Sequence, residues 1–166
     1  MPDLLEVQFM PLSAGPAGAV LLLAGQELAL GSAARAIDER AKGALSKAAR
    51  AADFTGKPKT SIEVLAPSGI DAPRLILAGT GRAAKELDRL QLGGFAFAQL
   101  GARKGEVGTV VADPADTGEA SAEVFAADLA LGALLRSYSF KKYQTKKSED
   151  GAEEEARAEV VGRAQA

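Results

Sequence analysis

The sequence offers few side chains that could do chemistry, because it contains no histidine, cysteine or tryptophan. Catalytic triads and metal sites that depend on histidine are therefore excluded, as are disulfides and thiolate metal sites. The remaining candidates are a glycine-rich turn, a run of lysines, a run of glutamates and two serines.

The glycine-rich candidate spans residues 77–84, where Gly79 and Gly81 belong to a G-x-G-x-x-A pattern. Such glycines let a backbone approach a pyrophosphate at the N-terminus of a helix. However, the pattern follows the fourth predicted strand rather than the first. The next strand ends in Asp113, about thirty residues on, instead of the ~20 typical of a ribose-binding acid. We interpret residues 79–81 as a tight turn between a strand and a helix.

The basic candidate, residues 141–147, has four lysines around Tyr143 and could bind nucleic acid, with the tyrosine as a stacking ring. Five acidic residues between Glu149 and Glu155 offset its field, and the whole chain has a net charge of −2. This balance opposes binding to phosphates, so we predict a solvated segment and no nucleic-acid partner.

The glutamates and the serines are weaker candidates. Glu153, Glu154 and Glu155 could attract Mn²⁺ or Mg²⁺, but a charged loop does not hold ligands at fixed geometry. Ser137 and Ser139 lack a histidine base and a supported lysine. We therefore assign no catalytic, cofactor-binding or metal-binding residue in this chain.

The elements that would position these candidates alternate along the chain. Apolar alternation and short apolar runs predict strands over residues 4–10, 19–24, 60–66, 74–79 and 108–112, with a possible last strand at 159–161. Helices are predicted over residues 32–52, from about 87 to 102, and after Asp116. The order ββαββαβα predicts a three-layer α/β fold, with a mixed, mostly parallel sheet covered by helices on both faces.

Helix boundaries and faces follow from local patterns. Ser32 is a candidate N-cap for the first helix, in which Asp38 and Lys42 form a solvent-side pair. Asp116 and Glu119 form a candidate capping box for the last helix. Helical periodicity predicts which residues are buried on each of the two later helices. In the middle helix the predicted buried residues are Leu87, Leu90, Gly94, Phe97 and Ala98. In the last helix they are Val124, Ala127, Leu131, Leu134 and Tyr138, widened by Phe125 and Leu129.

The paired glycines of the middle helix, Gly93 and Gly94, cost intrinsic helix stability of ~1 kcal/mol each. A close contact between this helix and the sheet would explain them. Residues 1–147 form the predicted domain, and residues 148–166 form a charged loop with a possible final strand or linker. No segment reaches the ~20 apolar residues that cross a bilayer, and no basic leader follows Met1, so we expect a cytoplasmic protein without a membrane partner.

Three stretches, residues 74–81, 90–98 and 132–147, resemble the N-terminal domain of the leucyl aminopeptidase (peptidase M17) family. The third is the most specific, because it matches the family's Y-x-F-x-x-Y-x-T-K pattern. Its matching residues are Tyr138, Phe140, Tyr143, Thr145 and Lys146. We expect the last helix to end near Ser139 and an extended stretch to follow.

The resemblance implies a macro-domain-like N-terminal domain that precedes a larger catalytic domain, in an enzyme that assembles as a hexamer. In the family, that catalytic domain binds two divalent metals, Zn²⁺ or Mn²⁺, and a metal-bridging water attacks the first peptide bond. The N-T-D-[AG]-E-G-R-type segment of the metal site is not found in these 166 residues. The resemblance thus implies an inactive domain whose partner is its own catalytic domain. The alternative is a module that binds a nucleotide or ADP-ribose at the turn of residues 79–81.

Overall fold

In the computed structural model, which describes residues 5–11, 15–82, 85–101, 107–113, 120–144 and 159–163, six strands form one sheet. The strands are β1 (Glu6–Phe9), β2 (Ala19–Gly25), β3 (Ser61–Leu65), β4 (Arg74–Gly81), β5 (Gly108–Val111) and β6 (Glu159–Arg163). Their spatial order is β1-β6-β5-β2-β4-β3. All neighbours are parallel except β3 and β4, so the sheet is mixed and mostly parallel, as predicted.

Helices cover both faces of this sheet. They are α1 (Ser32–Arg40), α2 (Ala44–Ala51), α3 (Glu86–Leu100) and α4 (Ala122–Gln144), with a short 3-10 turn at Gln26–Leu28. The fully buried strand β2 separates the two cores, because successive side chains of a strand point to opposite faces. Leu21 and Leu23 pack with α3 and α4, whereas Val20 and Leu22 pack with α1 and α2. The predicted three-layer architecture is confirmed.

The helix predicted over residues 32–52 is broken into α1 and α2, so that prediction was wrong. Lys42 and Gly43 adopt positive φ angles of 56° and 70° between the two helices. The buried carboxylate of Asp38 stabilises the break by accepting hydrogen bonds from Leu45 N at 2.9 Å and from the Ser46 hydroxyl. Asp38 therefore caps α2 and does not form the predicted solvent-side pair with Lys42.

The paired glycines of α3 face another helix, not the sheet. A Cβ on Gly93 would lie 2.1 Å from the Leu129 carbonyl oxygen, and one on Gly132 would lie 2.0 Å from the Leu90 carbonyl oxygen. Glycine is thus required on both helices, because any side chain at these two positions would strike the backbone of the facing helix. The predicted close contact between this helix and the sheet is therefore wrong, and the close contact is with α4.

The faces of the two long helices also differ from the prediction. On α4, Phe125 and Leu129 are buried, whereas Val124, Leu131, Leu134 and Tyr138 are exposed. On α3 the buried residues include Leu92, Ala96 and Leu100, while Leu87 is 62% exposed. Both helices are apolar over much of their circumference, so periodicity alone does not identify the inward face.

The ends of α4 differ from the expected ones as well. The helix begins at Ala122, where the Ser121 hydroxyl accepts a hydrogen bond from Val124 N at 3.3 Å. The backbone N–H of Glu123 and the Ser121 hydroxyl hold the pKa of the Glu123 carboxyl below its ordinary value. The proposed cap at Asp116 and Glu119 lies outside the described residues. At the other end, α4 continues through Gln144, so the expected extended stretch after Ser139 is wrong.

The possible last strand is confirmed as β6, which lies inside the sheet between β1 and β5. Glu6 pairs with Glu159, and Gly108 pairs with Val160. The predicted boundary after residue 147 therefore assigns β6 to a different segment from the strands with which it pairs. The division into two segments itself stays a prediction.

Candidate functional site

The carboxyl ends of β2, β4 and β5 form the sheet edge at which open α/β folds commonly bind ligands. Two of the sequence candidates lie there. Gly79 and Gly81 belong to the end of β4, and Asp113 follows β5. The structure therefore brings the glycine pattern and the acidic residue to the same edge, on either side of β2.

The backbone donors at the end of β4 are already used by the chain itself. Gly79 N donates to the Thr60 carbonyl oxygen at 2.8 Å, and Gly81 N donates to the Gly56 carbonyl oxygen at 2.9 Å. The Thr80 hydroxyl lies 3.3 Å from the Ala24 carbonyl oxygen. These residues are buried and extend β4, so they do not form the predicted tight turn.

The glycines at this edge permit a neighbouring loop to approach closely. A Cβ on Gly79 would lie 2.1 Å from the Lys57 carbonyl oxygen, and a Cβ on Gly81 would meet the Pro58 ring at 2.5 Å. Gly56 is equally constrained, because its Cβ would lie 1.9 Å from the Gly25 carbonyl oxygen. We call residues 56–58 the covering loop, because they occupy the space that a phosphate cradle would need. Ala83 and Ala84, which complete the pattern, lie outside the described residues.

Asp113 also serves the fold rather than a ligand. Its carboxylate accepts hydrogen bonds from Ala33 N at 2.5 Å and from the Ser32 hydroxyl at 3.3 Å. It thereby supplies a negative charge at the N-terminus of α1, where helix dipoles favour anions. Gly31, rather than Ser32, is the N-cap residue, and its own Cβ would collide with Asp113. The helix N-terminus nearest this edge is therefore occupied by the chain's own carboxylate.

The remaining candidates do not converge on a site. The backbone places Lys141, Lys142 and Tyr143 in the last turn of α4, while residues 145–147 and Glu153, Glu154 and Glu155 lie outside the described residues. The Ser137 hydroxyl donates to the Leu134 carbonyl oxygen at 2.8 Å, a bond within its own helix. Within the described ranges, no group of three potential ligands could hold a metal ion.

The sequence does not predict the burial of two arginines, Arg74 and Arg89. Arg74 donates to the Leu100 carbonyl oxygen at 2.8 Å and lies 3.6 Å from Glu63, which ties the end of α3 to β4. Arg89 on α3 contacts Asp128 on α4 at 2.6 Å. Each arginine lies beside a run of apolar residues in the sequence. Its burial could have been predicted only from an opposite charge that the fold brings close to it from a distant element. Each contact joins two elements of the core and points to a structural role.

Among the described residues, two depressions between the elements could be considered as binding sites. One is apolar and lies between β1, α3 and α4, with Val7, Phe97 and Ala130 in its wall. The other lies along α3 and is lined by Lys59, Gln91, Gly94, Phe95, Ala98 and Arg136. Neither gathers a nucleophile, a base and an oxyanion donor. Among the described helices, none has the length and apolar character needed to cross a bilayer.

Solved structures with the same fold include an aminopeptidase and a macrodomain. A mutant of tomato leucine aminopeptidase superposes with a TM-score of 0.69 and 19% identity, over 98% of this chain and 32% of that one. The macrodomain of Mycobacterium tuberculosis DarG superposes with a TM-score of 0.59 and 10% identity, over 98% of this chain and 99% of that one. These likenesses confirm the macro-domain-like fold.

Comparison with related sequences identifies the family of this chain. Probable cytosol aminopeptidases of Afipia carboxidovorans and Rhodopseudomonas palustris (strain BisA53) are 39% and 36% identical to the chain, over 88% and 98% of its length. The chain spans only 29% and 32% of these two relatives. A family model for the N-terminal domain of the cytosol aminopeptidase family matches residues 19–147. The chain therefore belongs to the cytosol aminopeptidase family and contains its N-terminal domain.

Proposed function

We propose that these residues form the non-catalytic N-terminal domain of a leucyl aminopeptidase, a two-metal exopeptidase that removes N-terminal residues. The metal ligands and catalytic residues of such an enzyme would lie in a separate catalytic domain. The observation that carries the proposal is the occupation of the sheet's carboxyl edge by the chain's own groups. The covering loop fills the space beside Gly79, and Asp113 fills the N-terminus of α1.

The described residues do not fit the two-metal centre that the family implies. Two-metal hydrolysis needs several carboxylates held in one place, whereas Asp38, Asp113 and Asp128 lie on separate elements with protein donors. We therefore assign the Mn²⁺ or Zn²⁺ ions to the catalytic domain and derive no step through them here. The role of this domain would be structural, in shaping the periphery of a cytoplasmic hexamer or access to its active sites.

The test is a hydrolysis assay of the 166-residue chain with leucine p-nitroanilide and added Mn²⁺ or Zn²⁺. A full-length cytosol aminopeptidase from Afipia carboxidovorans serves as the positive control. We expect no turnover above that of metal-containing buffer. Turnover at an enzyme-like rate that persists through repeated purification would contradict the proposal.

The alternative, a module that binds a nucleotide or ADP-ribose, draws support from the macrodomain fold alone, and fold is a weak warrant for function. The hydrogen bond from Gly81 N to the Gly56 carbonyl oxygen of the covering loop counts against it, as does the bond from Gly79 N to the Thr60 carbonyl oxygen. Titration calorimetry with ADP-ribose and with ATP distinguishes the two proposals. We expect no heat of binding, and saturable binding below the millimolar range would favour the alternative.

The third possibility, nucleic-acid binding by residues 141–147, is tested separately by a mobility-shift assay with duplex DNA at several salt concentrations. The acidic balance of the chain predicts no shift at physiological salt. A shift that disappears when the lysines of this segment are neutralised would contradict that expectation.

A further inference from the structure

Helix α4 exposes an apolar face on the side opposite its packed face. Five large apolar side chains on it are 40–72% exposed: Val124, Leu131, Leu134, Leu135 and Tyr138. We call this set the α4 stripe. A helix that is apolar on both sides is typical of a position between two layers. One layer is α3 and the sheet, which bury Phe125 and Leu129.

The α4 stripe is continuous and uncharged. Val124, Leu131 and Tyr138 are spaced by seven residues, which places them along one line of about 21 Å on a helix with a rise of 1.5 Å per residue. The two charged residues between Val124 and Tyr138 lie to the side of this line. Asp128 pairs with Arg89, and Arg136 packs beside Gly94 of α3.

We propose that the α4 stripe is a self-association surface, on which a second copy of this chain docks its own α4 in the antiparallel direction. Leu131 lies midway between Val124 and Tyr138. A twofold axis at Leu131 therefore places Tyr138 of each copy against Val124 of the other, a large side chain against a small one. Identical surfaces that meet in this way must be self-complementary, and an uncharged stripe avoids like-charge repulsion.

The size of the stripe sets the strength of the dimer. Five half-exposed apolar side chains amount to a patch on the order of 400–500 Å², near the upper end for a monomeric protein. Two such patches together reach about 1,000 Å², the lower bound of a specific interface. The dimer should therefore dissociate on dilution. The competing occupant is the catalytic domain of an aminopeptidase, which would leave the isolated chain monomeric.

Sedimentation velocity over a roughly hundredfold range of concentration tests the proposal, because a reversible dimer responds to mass action. We expect the mass to rise from the 17.0 kDa monomer towards twice that value. The double variant Leu131→Gln, Leu135→Gln should weaken association at least about tenfold, since it places amides in the apolar centre of the interface. The control Leu87→Gln, on the still more exposed Leu87 of α3, should leave association unchanged.

Single-cysteine cross-linking tests the orientation, and the absence of native cysteine makes it unambiguous. Leu131→Cys should give a disulfide-linked dimer under mild oxidation, whereas Leu87→Cys should not. Val124→Cys should also fail to link in the antiparallel arrangement, because the two sulfurs lie at opposite ends of the stripe. A monomer at every concentration, a dimer that survives the double glutamine variant, or efficient linking through Val124→Cys would each overturn the proposal.

Discussion

The carboxylate of Asp113 accepts a hydrogen bond from the backbone N–H of Ala33, 80 residues earlier in the chain. This contact joins the end of β5 to the start of α1 across the carboxyl edge of the sheet. Asp113→Ala should lower the free energy of unfolding by about 1–2 kcal/mol, the usual effect of losing a helix cap. Urea denaturation followed by circular dichroism measures it. Asp71→Ala, at an exposed aspartate, is the control and should stay within about 0.5 kcal/mol of the unaltered chain.

The crossing of α3 and α4 predicts opposite results for two adjacent glycines. Gly93→Ala should destabilise the chain by about 2–3 kcal/mol, because the new methyl group would strike the Leu129 carbonyl oxygen. Gly94→Ala should be neutral or stabilising by up to ~1 kcal/mol, because its methyl group would have ordinary contacts and alanine favours the helix. Thermal melting of both variants provides the comparison. Equal destabilisation would mean that the two helices are not packed as described.

The ion pair between Arg89 and Asp128 predicts a non-additive pair of substitutions. Asp128→Leu alone should cost about 3 kcal/mol, because it removes the carboxylate from a nearly buried guanidinium. The double variant Arg89→Met, Asp128→Leu should recover much of that loss, since it removes both charges and keeps apolar volume. A double-mutant cycle by chemical denaturation measures the coupling. Additive effects would show that the two charges act independently.

The break between α1 and α2 predicts a graded response around Asp38. Asp38→Ala should cost about 2–3 kcal/mol, because it removes the acceptor from the buried N–H of Leu45 and from the half-buried N–H of Ser46. Ser46→Ala removes only the hydroxyl contact and should cost about 1 kcal/mol or less. Hydrogen exchange at Leu45 N would locate the effect. Unchanged protection there in the Asp38→Ala variant would contradict the capping role.

Local patterns were sufficient for the strands and for the layers. Strand β2 is apolar on both faces because helices cover both faces, and the sequence shows that directly. The break in the first predicted helix was not visible, because residues 32–52 keep helical periodicity across it. Its cause is a side-chain contact between Asp38 and the residues that follow the break, which competes with the helix and is decided by packing.

The packing at the glycine pattern could not be predicted from the sequence, for a different reason. The glycine pattern at Gly79 and Gly81 is compatible with a phosphate cradle, with the tight turn that we predict from the sequence, and with close packing of a loop. Only the position of Gly56, more than twenty residues earlier, decides between them. Similarly, α4 has apolar residues on all sides, so no sequence pattern separates Phe125, which is buried, from Leu131, which is exposed.

The covering loop has a consequence for how this fold can change its function over evolution. Three segments of the chain meet at the Gly25, Gly56 and Gly79 backbones without an intervening side chain. Point substitutions of Gly56 or Gly79 can only introduce collisions, so they cannot open a pocket. Shortening or displacing residues 56–58 would instead free the Gly81 N–H group and the space beside Gly79 in a single step. On this scaffold, gain or loss of an anion cradle therefore depends on the length of one loop and not on the identity of the residues beneath it.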